Sequence, residues 1–298
     1  MSDNVQSCYY TTSDNLRCHY LLWPNHASQS CCLLMHGFSN DAHIWDALAR
    51  KLQHRHNVIA QDFRGHGDSD WDRLAHYTHQ QLCLDTVALI KQHGEFSQWH
   101  IIGHSLGARV AMLMLDDNNI KASSFTIIDT GPEVRSAGVN KVRQDAQNFP
   151  SSFASQQAYY DFLCNIYLFA ETERLQELAR WGLKKDAAGR WISKTDPAFT
   201  DALWKPADEL AQQNNHHGLR YPMQEQLWQA LGKLDCPTLI IRGQASAILS
   251  RDVAERMNRI IADARLIVID RAGHAVPVDN PQAFEDAVCA FITDESSD

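Results

Sequence analysis

Residues 101–112 read IIGHSLGARVAM. Nucleophilic acyl transfer needs a hydroxyl to attack, an imidazole to take its proton and a carboxylate to orient the imidazole. Ser105 is the candidate hydroxyl, set between Gly103 and Gly107, with an apolar run before it and a helix-forming run after it. Gly-x-Ser-x-Gly at a strand-to-helix junction holds a serine on a sharp turn, where small flanking residues let neighbouring backbones pass closely. The hydroxyl is lifted above the sheet edge at a helix N-terminus, whose unpaired N–H groups favour developing negative charge. The N–H of Leu106, directly after the serine, is therefore one expected oxyanion donor. His274 is the candidate base. It lies in RAGHAVP, a loop after the last predicted strand, from which an imidazole can reach over the strand ends. His104 is the competing imidazole, but neighbours on a tight turn rarely face the same way.

The elements that must position these groups follow an alternating rhythm. Two strand-like runs near 7–11 and 16–22, separated by the turn signal Asp14-Asn15, predict a hairpin. CCLLMHG, NVIAQDF, QWHIIG and SSFTIID are short apolar runs of the kind buried on both faces of a parallel sheet. Helical patterns separate them at about 41–53, 78–93 and 105–117. After Asp129 the rhythm breaks, and residues 132–230 show helical fragments without a buried strand. It resumes with CPTLIIRG, a helix over 250–262, ARLIVID and a helix over 281–292. This predicts an α/β fold with a mostly parallel sheet and helices on both faces, a core of 1–131 and 231–298, and a helical cap insertion at 132–230. The tail TDESSD is expected to be disordered.

Four segments, in order, resemble the α/β-hydrolase fold superfamily in its cap-bearing serine hydrolase branch: HGF at 36–38, DFRGHGDS at 62–69, GHSLG at 103–107 and GHAVPVDNP at 273–281. The resemblance implies an eight-stranded sheet and hydrolysis through a serine–acid–histidine triad, and it leaves the substrate open. It also implies that the second oxyanion donor is the N–H of Phe38. His36, Asp62 and Arg64 are then expected to brace loops.

The acid is where the sequence departs from the family pattern. In the family it usually follows the seventh strand, a few residues after a glycine, but here that stretch reads IIRGQASAILS, with Ser246 and Ala247 in the expected places. Some members carry the acid after the sixth strand, which here implies Asp129. Asp252, Asp270, and a dyad whose imidazole is held by Ser246 or water stand as alternatives.

The expected activity is hydrolysis of small, fairly apolar carboxylic esters through an acyl-enzyme. A lactonase or a hydrolase of carbon–carbon bonds in diketones is the alternative, and a ligand-binding protein on a hydrolase scaffold is the rival from another class. Bulk properties narrow the field. A net charge of −9 argues against a nucleic-acid partner. The eight cysteines form no C-x-x-C and read as free thiols of a cytoplasmic protein. No apolar stretch suits a membrane span or a signal peptide. Fifteen histidines include no H-E-x-x-H spacing, so neither a metal nor an organic cofactor is expected. The expected partner is the small-molecule ester alone, with oligomeric state open.

Overall fold

A computed structural model describes residues 4–117, 120–134, 136–200 and 222–295. Its centre is an eight-stranded sheet built from β1 (Gln6–Thr11), β2 (Arg17–Trp23), β3 (Ser30–Met35), β4 (Asn57–Gln61), β5 (Gln98–His104), β6 (Ser124–Ile128), β9 (Thr238–Gly243) and β10 (Ala264–Ile269). The spatial order is β1-β2-β4-β3-β5-β6-β9-β10. β2 pairs antiparallel with both β1 and β4, and the remaining pairs are parallel. The first two strands form the expected hairpin around Asn15, which takes φ 65° in the turn.

The apolar runs are continuous because both faces of each central strand are covered. Side chains alternate across a strand, so Cys31, Leu33 and Met35 of β3 join one buried cluster while Cys32 and Leu34 join the other. β5 splits Ile101 from Ile102, and β9 splits Ile240 from Leu239 and Ile241, in the same way. Burial of each such aliphatic side chain contributes about 1.5–3 kcal/mol relative to exposure. Helices α2 (His79–Gln92) and α3 (Leu106–Asp117) cover one face. A 3-10 turn (Ala42–Trp45), α1 (Asp46–Leu52) and, at the C-terminal end, α10 (Pro281–Glu295) cover the other. Ile44, Trp45, Leu48 and Leu52 form the predicted apolar face and are all buried.

Between β6 and β9 the chain forms α4 (Ser136–Gln147), α5 (Gln156–Ile166), α6 (Thr172–Trp181), a small hairpin of β7 (Leu183–Lys185) and β8 (Trp191–Ser193), and α7 (Pro222–Gly232). Apolar periodicity did not predict the hairpin. Its strands have three residues each, turn at Gly189 with φ 78°, and among the described residues pair only with each other and Phe153. The Arg174 guanidinium donates to the Ile44 carbonyl, and Trp181 stacks on His43 with centroids 3.9 Å apart, which ties α6 to the core. α7 instead packs on α3, with Leu227 and Leu231 buried in the core cluster, so the expected cap boundary at 230 falls inside this helix. After β9 come α8 (Arg251–Ile260), capped by Ser250, and the single-turn α9 (Val276–Asp279). Part of the tail, residues 293–295, continues α10, while 296–298 lie outside the described residues. None of the eight cysteines is in a disulfide. Among the described residues no helix is long and apolar enough to cross a membrane.

Candidate active site

The register of the parallel strands decides what meets at the sheet's C-terminal edge. His104 at the end of β5 lies beside Ile128 at the end of β6, and Ile128 lies beside Ile241 of β9. Ser105 and Asp129 therefore leave neighbouring strand ends at the same level. The N–H of Ser105 still donates to Ile128 O at 3.0 Å, and that of Asp129 to Ile241 O at 2.8 Å. Both residues then turn into the left-handed region, Ser105 at φ 51° and Asp129 at φ 47°. Non-glycine residues rarely adopt this conformation, and such strain persists where the surroundings over-determine it.

His274 reaches this edge from the loop after β10. Its Nε2 lies 3.0 Å from Ser105 Oγ and its Nδ1 lies 2.8 Å from Asp129 Oδ2. An ionised carboxylate can only accept, so Nδ1 carries the proton and Nε2 turns its lone pair to the serine hydroxyl. Asp129 is fully buried. Its charge is held by two further donors, the N–H of Gly243 to Oδ1 at 2.9 Å and the hydroxyl of Ser246 to Oδ2 at 2.6 Å. Ser246, at the position where the family pattern expects an acid, thus donates to the acid on the neighbouring strand. Its Oγ also accepts the N–H groups of Ile248 and Leu249, each at 3.1 Å. Of the other carboxylates considered, Asp252 is exposed in the first turn of α8 and Asp270 is exposed after β10.

The loop of residues 36–38 passes directly beside Ser105. A methyl group on Gly37 would come within 2.6 Å of His104 Nδ1 and 3.3 Å of Ser105 Cβ, and one on Gly107 would overlap the carbonyl of Met35. These two glycines let the start of α3 and the loop after β3 close on one another. Leu106 opens α3, so its N–H has no acceptor within the helix. Phe38 stands on the facing loop, its ring packed on Phe199 with centroids 5.8 Å apart. The two expected oxyanion donors thus sit on the two backbones that flank the serine.

The remaining motif residues brace this geometry. His36 accepts the N–H of Phe63 at Nε2 (3.1 Å) and donates from Nδ1 to Gly37 O (2.7 Å), so it is neutral, and burial lowers its pKa. His104 donates from Nε2 to the carbonyl of His274 at 2.8 Å, and burial together with that neighbouring imidazole pushes its pKa down to about 3. It steadies the loop of His274. Asp62 accepts from His19 Nδ1 (2.6 Å), Ala42 N (2.6 Å) and Asp68 N (2.9 Å). Arg64, fully buried, pairs with Asp85, Asp14 and Asp72. Among the described residues two clusters bring potential metal-ligating atoms within 4.8 Å of one another, Asp14 with Asp72 and His76, and His19 with Asp62 and Asp68. Asp14 and Asp72 already pair with Arg64, Asp62 braces the loop after β4, and Asp68 pairs with Lys194.

The sequence over residues 32–287 matches the Alpha/beta hydrolase family, and the chain belongs to it. It is 24% identical over 262 residues to the 2-(acetamidomethylene)succinate hydrolase of Mesorhizobium japonicum, covering 87% of each chain. It is 23% identical over 273 residues to the esterase YbfF of Escherichia coli, covering 91% of this chain and 96% of that one. A solved α/β hydrolase from Novosphingobium aromaticivorans superposes with a TM-score of 0.80 at 25% identity, over 98% of this chain and 99% of the other. These relatives are hydrolases and an esterase, which supports a general hydrolase function.

Proposed function

We propose that this chain is a serine hydrolase that cleaves small, fairly apolar carboxylic esters through an acyl-enzyme intermediate. The observation that carries the reading is the hydrogen-bonded series Ser105 Oγ–His274–Asp129, with links of 3.0 and 2.8 Å. In the acylation step His274 Nε2 takes the proton of Ser105 as Oγ attacks the ester carbonyl. Asp129 holds the imidazole in the required tautomer and stabilises the imidazolium that forms. The N–H groups of Phe38 and Leu106 receive the oxyanion, a term worth about 10²–10³ in kcat per donor in such sites. The intermediate collapses as His274 gives its proton to the departing alcohol. Water, deprotonated by the same imidazole, then attacks the acyl group and restores the serine.

Residues 136–200 act in this reading as a cap over the site. Support comes from Phe199, whose ring packs on Phe38, and from Asp196, which accepts the hydroxyl of Tyr77 beneath it. Phe38, half-buried beside the serine, supports an apolar acyl or alcohol pocket. Free thiols throughout suit a cytoplasmic setting.

The test is turnover of p-nitrophenyl esters of increasing chain length, run beside lactones and ring-fission diketones, with Ser105→Ala as control. Loss of ester turnover in a folded Ser105→Ala protein is the expected outcome. Unchanged ester hydrolysis by that variant would falsify the mechanism, and a preference for lactones or diketones would move the substrate class.

A further inference from the structure

One buried carboxylate beside the imidazole has no part in the reaction described above. Asp279 ends α9, five positions after His274, and is only 7% exposed. Its Oδ2 accepts the N–H of Gly273, the residue immediately before His274, at 2.8 Å. On the other side of the same residue, His104 donates to the carbonyl of His274 at 2.8 Å. Asn280 donates from Nδ2 to the Asp270 carbonyl at 2.8 Å and closes the base of the loop. The backbone carrying the imidazole is therefore held by side chains from two directions, the nucleophile's own strand and the loop's far end.

We propose that Asp279 is a positioning residue for His274, its carboxylate fixing through Gly273 the backbone from which the imidazole reaches Ser105. The inference rests on the reading of Ser105 as nucleophile and His274 as base. The physical reason is leverage. The loop after β10 keeps a backbone link at Ala272, whose carbonyl accepts the N–H of Ala245 at 2.9 Å, and beyond it the backbone of Gly273 and His274 relies on these side-chain contacts to hold the distance from Nε2 to Ser105 Oγ. A misplacement of about 1 Å can cost about 10²-fold in rate. The placement carries a cost, which argues that the contact is used. Burial, with Asp129 adding like charge across the imidazole, raises the pKa of Asp279 to about 6 against the pull of the Gly273 N–H and His274. The charge of Asp279 adds to the burial that raises the pKa of the Tyr167 hydroxyl.

The experiment compares Asp279→Ala, Asp279→Asn and Asp279→Glu with the unsubstituted protein in p-nitrophenyl ester turnover, with fluorophosphonate labelling of Ser105 followed in parallel. Asp279→Ala is expected to lose about 10–10²-fold in kcat with KM within about threefold. Asp279→Asn keeps an oxygen for Gly273 N–H and is expected to recover most of the loss. Asp279→Glu keeps the charge but moves the acceptor, so it is expected to behave like Ala, and it carries the test if the Ala variant does not fold. Normal kcat in Asp279→Ala or Asp279→Glu, a loss confined to KM, or an Asn variant as slow as Ala overturns the proposal. Failure of the unsubstituted protein to label at Ser105 overturns instead the hydrolase reading on which it rests, and the proposal with it.

Discussion

Replacing Asp129 by Asn changes one oxygen for an amide nitrogen at nearly constant volume, and the structure says what must then fail. Three donors converge on this carboxylate: Gly243 N–H on Oδ1, and Ser246 Oγ–H and His274 Nδ1–H on Oδ2. An amide offers a single oxygen. If that oxygen stays with Gly243, the NH₂ group faces His274, whose Nδ1 must then accept. The imidazole proton moves to Nε2, the atom facing Ser105, and the base has no lone pair left for the hydroxyl. If the amide flips, its NH₂ meets the Gly243 N–H donor to donor, at a cost of about 1–3 kcal/mol for the unsatisfied group. The first arrangement also turns the NH₂ group toward the Ser246 hydroxyl, which must rotate its hydrogen away; a variant that settles there folds and holds the wrong tautomer. Substituting a triad acid by its amide in this way costs about 10⁴ in kcat, which is about 5.4 kcal/mol of activation free energy. The measurement is kcat on p-nitrophenyl butyrate for Asp129→Asn, with thermal unfolding to show that the fold is intact and fluorophosphonate labelling expected to slow in parallel. A folded variant whose kcat stays within about tenfold of the parent would refute the assignment of Asp129 and leave a serine–histidine dyad.

Two further outcomes concern the scaffold. Arg64→Met should destabilise the protein by about 3–5 kcal/mol, because it leaves the buried Asp85 without its cation, and urea unfolding measures this; a change below about 1 kcal/mol would show that the ion-pair cluster contributes nothing net. Asp14 is held at about 2 rather than 3.8, chiefly by its hydrogen bond to Arg64. A depressed carboxylate contributes stability that is present above its unfolded value and lost as pH falls through the folded one. The melting temperature should therefore fall between about pH 4 and pH 2, and less steeply in Asp14→Asn; parallel curves for the two proteins would count against the Arg64 contact.

The turn that carries Ser105 was readable in the sequence because its geometry is local. A serine between Gly103 and Gly107, at a strand-to-helix junction, leaves the chain few other ways to turn. The parallel strands were readable because burial on both faces leaves runs such as CCLLM at 31–35 without a polar residue. The small hairpin at 183–193 escaped because strands of three residues carry too little alternation to register. α7 escaped its proper partner for a different reason. Its apolar face fits a cap as well as a core, and only its packing on α3 distinguishes them. Asp279 carried no signal of its own, since a carboxylate near a helix end is ordinary until the N–H it accepts is known.

The acid shows most clearly where the two levels divide. The sequence by itself determined that a hydroxyl stands on a tight turn, that an imidazole follows the last strand, and that the usual place for the acid holds Ser246. It left Asp129, Asp252 and Asp270 open, because chemical type and distance along the chain do not say which strand ends adjoin. The tertiary structure decided which of them meets the imidazole. Parallel pairing of β6 between β5 and β9 puts Asp129 at the level of Ser105 and of Gly243, and the loop after β10 brings His274 down between them. Contact between groups 114, 145 and 169 positions apart is set by strand register, which the whole sheet fixes together.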